Sequence, residues 1–130
     1  MIVDTSALIA LLNSEPEAAR IEAAVLSARR VFLSAASLVE AGIVAERLNP
    51  AFGAHDLDLL LDRIGVEVIS VTREHAELAR TAYRQFGKGN HPAALNYGDC
   101  FSYALARSLG EPLLFVGNDF GKTDIEVVRY

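Results

Sequence analysis

Short apolar runs alternate along this chain with stretches in which apolar residues recur every three or four positions. That alternation predicts strands joined by crossover helices, and hence an α/β fold around a parallel sheet. Residues 1–3 form a short apolar strand, and residues 5–13 follow as a mostly buried helix. Ser14, Glu15 and Pro16 break it. Pro16 suits the first turn of a second helix over 17–28, with Ala19, Ile21, Val25 and Leu26 on its apolar face. Residues 31–33 read as a second strand. Ser34 and Ser37 then open a helix to about residue 48, in which Leu38, Ala41, Val44, Ala45 and Leu48 keep helical spacing and Glu40 lies inside.

The second half continues the alternation. Residues 56–64 are strongly amphipathic, and Gly65 is placed to end that helix before a strand over 67–70. Residues 72–86 predict another helix. The segment 87–98 is dense in turn formers and is the one loop long enough to suggest a function. A helix starts at Tyr97 or Gly98 and runs to residue 108, and Gly110 stops it. Residues 113–116 are a further apolar strand ending in Gly117-Asn118-Asp119, and 125–128 adds a last edge strand. No repeat or linker interrupts the pattern, so the chain reads as a single domain over 1–130.

Composition sharpens this picture at three points. Hydrophobic residues are 52% and charged ones 22%, which fits a packed core and excludes disorder. The apolar start carries Asp4 early, has no basic residue beside it and is too short to span a bilayer, so neither a signal peptide nor an anchor is expected. Cys100 is the only cysteine, which predicts a reducing, cytoplasmic setting and a small core side chain. The net charge of −5 argues against gripping nucleic acid through general basicity. Any polyanion must be met locally.

Four acids stand out from ordinary surface charge. Asp4 and Asp119 follow apolar strands, Asp99 lies at the start of a helix and Glu40 about two turns into another. In open α/β sheets reactive groups gather beyond the carboxyl ends of the strands, so all four reach one crevice if their strands are neighbours. Crowded carboxylates raise one another's pKa, and a cation reverses that. Oxygen-only ligands select a hard ion, Mg²⁺ or Mn²⁺ over Zn²⁺. Such an ion acidifies water and stabilises charge on a phosphodiester, so the chemistry expected is phosphodiester hydrolysis.

Each acid also has a structural reading: Asp99 as a helix N-cap, Asp119 as a turn residue, Glu40 as a solvated helix charge. Thr5 and Ser6 read as caps of the first helix. Arg84, Lys88 and His91 lie just upstream of Asp99 and can supply the local positive patch that a polyanion needs, with Asn96 and Tyr97 following; a solvated basic loop is the alternative. His55 and His75 read as helix-surface residues, and Phe101, Tyr103 and Phe115 as core.

The blocks MIVDTSALIALL, SAASLVEAGIV, GKGNHPAALNYGDCFSYALA and LLFVGNDFGKTDI resemble those of PIN-domain proteins, specifically VapC toxins, over nearly the whole chain. The resemblance implies a three-layer α/β/α fold and a Mg²⁺-dependent endoribonuclease whose acidic quartet maps onto Asp4, Glu40, Asp99 and Asp119, with Asp4 and Asp99 as direct metal ligands. It also implies a homodimer and neutralisation by a VapB-type antitoxin, which in this family inserts a segment, often with an Arg, into the acidic site. Asn118 departs from the pattern, since relatives often carry a second acid there. A haloacid-dehalogenase-like phosphatase needs a second Asp two residues after the first, where this chain has Ser6. A non-catalytic acidic-cleft module for a basic partner and a stand-alone PIN nuclease remain as alternatives.

Overall fold

The structure, a computed structural model, describes residues 1–130. In chain order the elements are β1 (Ile2–Val3), α1 (Thr5–Leu12), α2 (Ala18–Ser27), β2 (Val31–Ser34), α3 (Ala35–Leu48) and α4 (Gly53–Ile64). There follow β3 (Val66–Ile69), α5 (Arg73–Phe86), α6 (Tyr97–Leu109), β4 (Leu113–Leu114) and a 3₁₀ turn at Phe120–Lys122. The sheet order is β3-β2-β1-β4, and every pairing is parallel.

Alternation along the strands divides the core in two, because successive side chains leave a strand on opposite faces. Ile2, Phe32 and Leu113 pack with Ala79 and Ala82 of α5 and Leu105 of α6. Val3, Leu33 and Leu114 pack on the other side with Leu8, Ile21, Ala41 and Leu57 from α1 to α4. The result is the expected α/β/α sandwich. Each fully buried aliphatic chain contributes about 1.5–3 kcal/mol, so the apolar residues of β1, β2 and β4 are what hold the layers together.

Several boundaries differ from the sequence reading, each for a physical reason. Helix α4 begins at Gly53 rather than residue 56, because a Cβ at Gly53 would collide with the backbone carbonyl of Ala45 on α3. Glycine there permits a close helix crossing instead of marking a loop. Strand β4 is only Leu113–Leu114; Phe115 turns away to pack edge-on against Phe120, with ring centroids 5.1 Å apart. The proposed last strand over 125–128 reduces to one bridge between Leu113 and Val127.

Leu26 and Leu48 do not face the core: they are 66% and 55% exposed, while Ile21, Val25, Ala41 and Ala45 take the buried faces of α2 and α3. His75 is buried rather than on the surface, since its ring nitrogen accepts the Thr72 N–H while Thr72 Oγ1 accepts the His75 N–H, closing a capping box at the start of α5. Cys100 is a buried free thiol, as expected. No helix is long and apolar enough to cross a membrane.

Candidate active site

Between β1 and β4 the direction of strand succession reverses, which is where open α/β sheets leave a crevice at their carboxyl ends. Asp4 lies there, directly after β1, and is 3% exposed. It is the N-cap of α1: its Oδ2 accepts the Ser6 N–H at 2.9 Å and the Ser6 hydroxyl at 2.6 Å. The capping role assigned to Thr5 or Ser6 therefore belongs to Asp4, whose carboxylate can reach the free N–H groups of the first turn. Ser6 Oγ in turn accepts the Val116 N–H at 3.0 Å, tying the end of β1 to the chain after β4.

The other Asp4 oxygen, Oδ1, accepts the hydroxyl of Ser102 at 2.6 Å. Ser102 is fully buried, and its Oγ lies 3.2 Å from that of Ser37. A serine has one proton to give, so Ser102 spends it on Asp4 and accepts from Ser37. This buried chain of α3, α6 and α1 groups fixes the Asp4 carboxylate. Neither serine is among the site residues the sequence points to, although Ser102 stands three residues after Asp99 on the same side of α6.

Asp99 sits in the first turn of α6 but is not its cap. That role falls to Asn96, whose Oδ1 accepts the Asp99 N–H at 2.9 Å while Asp99 Oδ2 accepts the Asn96 N–H at 2.8 Å. The Asn-x-x-Asp spacing is a capping-box signal legible in the sequence. Burial pushes the Asp99 carboxyl up to about 6; the Asn96 hydrogen bond opposes this, and the charges of Asp4, Glu40 and Asp119 add to it. Glu40 approaches from α3, where its Oε2 accepts the Thr5 hydroxyl at 2.9 Å. Its carboxylate lies so close to Gly98 that any Cβ there would overlap it. Gly98 is thus a site residue that its place among turn formers concealed.

Asp4, Glu40 and Asp99 line one cleft of about 320 Å³, together with Thr5, Ser6, Asn96 and a further acid, Glu15, from the turn after α1. Asp119 is brought close enough for its charge to act on Asp99, yet it is exposed, precedes the 3₁₀ turn and does not line the cleft. No three acidic, His or Cys side chains converge to ligate one ion in this arrangement. The donor set nevertheless suits a hard divalent cation: it is all oxygen, no cationic side chain lines the cleft, and the repulsion that raises Asp99 is what such a cation relieves.

Arg84 and Lys88 line a second, larger groove beside the cleft. His91 does not join them; its ring packs edge-on against Phe86 at 5.1 Å and its Nδ1 accepts the Ala93 N–H at 3.1 Å. Tyr103 and Phe115 are core, as expected, whereas Phe101 is half-buried and lines that groove. Burial first, and the Asp99 charge second, push the Cys100 thiol up to about 11, so it remains a thiol and donates to the Asn96 carbonyl.

A sequence model of the PIN domain matches residues 1–126. Ribonuclease VapC30 of Mycobacterium tuberculosis strain H37Rv is 50% identical over 128 residues, covering 98% of each chain. Among solved structures, the sarcin-ricin-loop-cleaving toxin VapC20 of Mycobacterium tuberculosis superposes with a TM-score of 0.80 at 22% identity, over 99% of this chain and 98% of that one. A toxin–antitoxin complex from Klebsiella pneumoniae gives 0.73 at 18% identity, over 99% and 97%. With its all-parallel sheet, its acidic cleft at the switch point and a relative this similar over nearly its full length, the chain belongs to the PIN-domain family, in the VapC ribonuclease group.

Proposed function

We propose that the protein is a Mg²⁺-dependent endoribonuclease toxin that hydrolyses RNA phosphodiester bonds and is neutralised by a VapB-type antitoxin. The observation that carries this reading is the convergence of Asp4, Glu40 and Asp99 on one cleft at the sheet's switch point, with Asp99 raised by burial and by its acidic neighbours. Asp4 and Asp99 would hold the cation directly and Glu40 next, with Asp119 at the rim adding its charge. When bound, Mg²⁺, or Mn²⁺ in its place, supplies Lewis-acid stabilisation of the phosphodiester's charge and acidifies water.

The chain's own residues do the positioning. Ser102 and Ser6 hold both oxygens of Asp4, the α6 capping box holds one oxygen of Asp99, and Thr5 turns Glu40 toward the same space. These contacts fix the carboxylates before substrate arrives, so little reorganisation accompanies the reaction. An acidic cleft also suits a basic antitoxin segment, and a relative in fold is itself a toxin–antitoxin complex. A homodimer is part of the same reading; Val39, Phe52 and Leu59 are large apolar side chains left exposed for partner surfaces.

RNA cleavage assayed with Mg²⁺, with EDTA and in Asp4→Asn and Asp99→Asn variants tests the proposal. Cleavage should need the cation and fall at least about a hundredfold in each variant with the fold intact. Undiminished hydrolysis by folded Asp4→Asn would sink it. Capture of a basic peptide by a protein that cuts no RNA would favour the acidic binding module instead.

A further inference from the structure

The larger groove lies between α5 and the start of α6, with a volume of about 760 Å³. Its walls carry Arg80, Arg84 and Lys88 with Tyr83, Tyr97 and Phe101, and no carboxylate. The acidic cleft beside it carries carboxylates and no cation, and Asn96 lines both. Tyr97 is 79% exposed and Tyr83 45%. Large aromatic surface left open in a concave wall is costly unless something covers it. The Tyr97 ring is steadied edge-on by Phe101, with centroids 5.0 Å apart at 75°. Of the three cations, only Arg80 has an acidic partner, Glu77 at 3.0 Å, in an exposed pair worth little.

We propose that this groove is an RNA subsite that stacks an unpaired base on Tyr97 and Tyr83 and holds the adjoining phosphates on Arg84, Lys88 and Arg80. The proposal rests on the ribonuclease reading and extends it to the substrate's form. Exposed aromatics capture splayed bases of single strands and loops, whereas the bases of an A-form duplex are stacked away from them. The juxtaposition also answers the charge problem. An acidic protein with net charge −5 repels a polyanion, and the one cation-rich concavity adjoining the cleft offsets that repulsion next to the carboxylates. A basic partner segment fits the carboxylate cleft and is repelled here.

The test uses the full chain with Ca²⁺ replacing Mg²⁺ and a short fluorescein-labelled unstructured RNA, alone or annealed to its complement. Anisotropy should show tighter binding of the single strand. Tyr97→Ala should weaken it at least about fivefold, with Tyr97→Phe restoring it, because stacking needs the ring and not the hydroxyl. Arg84→Ala should lower the salt dependence by about 0.7 in log–log slope. The chain has no tryptophan and two of its four tyrosines line the groove, so quenching of tyrosine emission by RNA should shrink in Tyr97→Ala. Circular dichroism verifies the fold, which an exposed Tyr97 is not needed to maintain. Unchanged binding by folded Tyr97→Ala and Arg84→Ala overturns the proposal while leaving intact a nuclease reading in which Asp4→Asn abolishes cleavage. A parent protein that neither binds nor cuts RNA removes both. A shift of Tyr83→Ala or Tyr97→Ala to a smaller sedimenting species assigns the groove to a second copy of the chain and overturns it as well.

Discussion

Gly98 and Glu40 share one small volume at the start of α6, and that contact makes a sharp test of how the cleft is built. Gly98→Ala should displace the Glu40 carboxylate and lower RNA cleavage, because the new Cβ overlaps it. In a Glu40→Ala background the clash is gone, and the same change should stabilise by up to about 0.5–1 kcal/mol through ordinary helix propensity. Urea denaturation of the double-mutant cycle reads that reversal of sign. Asp99 gives a second test at this scale. Its carboxyl moves from 3.8 to about 6 on folding, chiefly through burial. Between those values the folded state binds more protons than the unfolded one, so this group's contribution makes stability fall as pH rises from about 4 to 6. Thermal melts in EDTA across that window should show the decline, and Asp99→Asn should flatten it.

At the scale of elements, the acids are held by helix termini and by one helix crossing. Asp4 caps α1, Asp99 completes the capping box of α6, and Glu40 rides on α3, whose path is fixed by α4 crossing it at Gly53. A methyl group at Gly53 would drive into the Ala45 carbonyl. Gly53→Ala should therefore cost about 1–3 kcal/mol, seen as a lower denaturation midpoint, since backbone cannot yield as a side chain tip does. Helix positions were legible in the sequence because periodicity and caps such as Thr72 are local signals. The start of α4 was not, because glycine there makes room for the backbone of the preceding helix at Ala45 rather than for its own turn.

For the molecule as a whole, the cleft concentrates four carboxylates, those of Asp4, Glu15, Glu40 and Asp99, in a chain that is already acidic. Binding of Mg²⁺ to the folded state alone should stabilise it by RT ln(1 + [L]/Kd), about 2.7 kcal/mol at a hundred times Kd, and so raise the melting temperature. Differential scanning fluorimetry should find that rise in the parent and lose most of it in Asp4→Asn. A melting temperature indifferent to Mg²⁺ in both proteins would argue against the cation.

The sequence alone determined the α/β alternation and the parallel sheet, and it singled out four acids, because apolar runs and the carboxylates that interrupt or follow them are written locally. Only the tertiary structure decided that Asp4, Glu40 and Asp99 share a cleft while Asp119 stays at its rim, since that depends on which strands become neighbours. It likewise recruited Ser102 beneath Asp4, across 98 positions of chain, and moved His91 from the basic patch into packing against Phe86. Local pattern says which residues will be buried. Long-range packing says beside whom, and chemistry depends on the second.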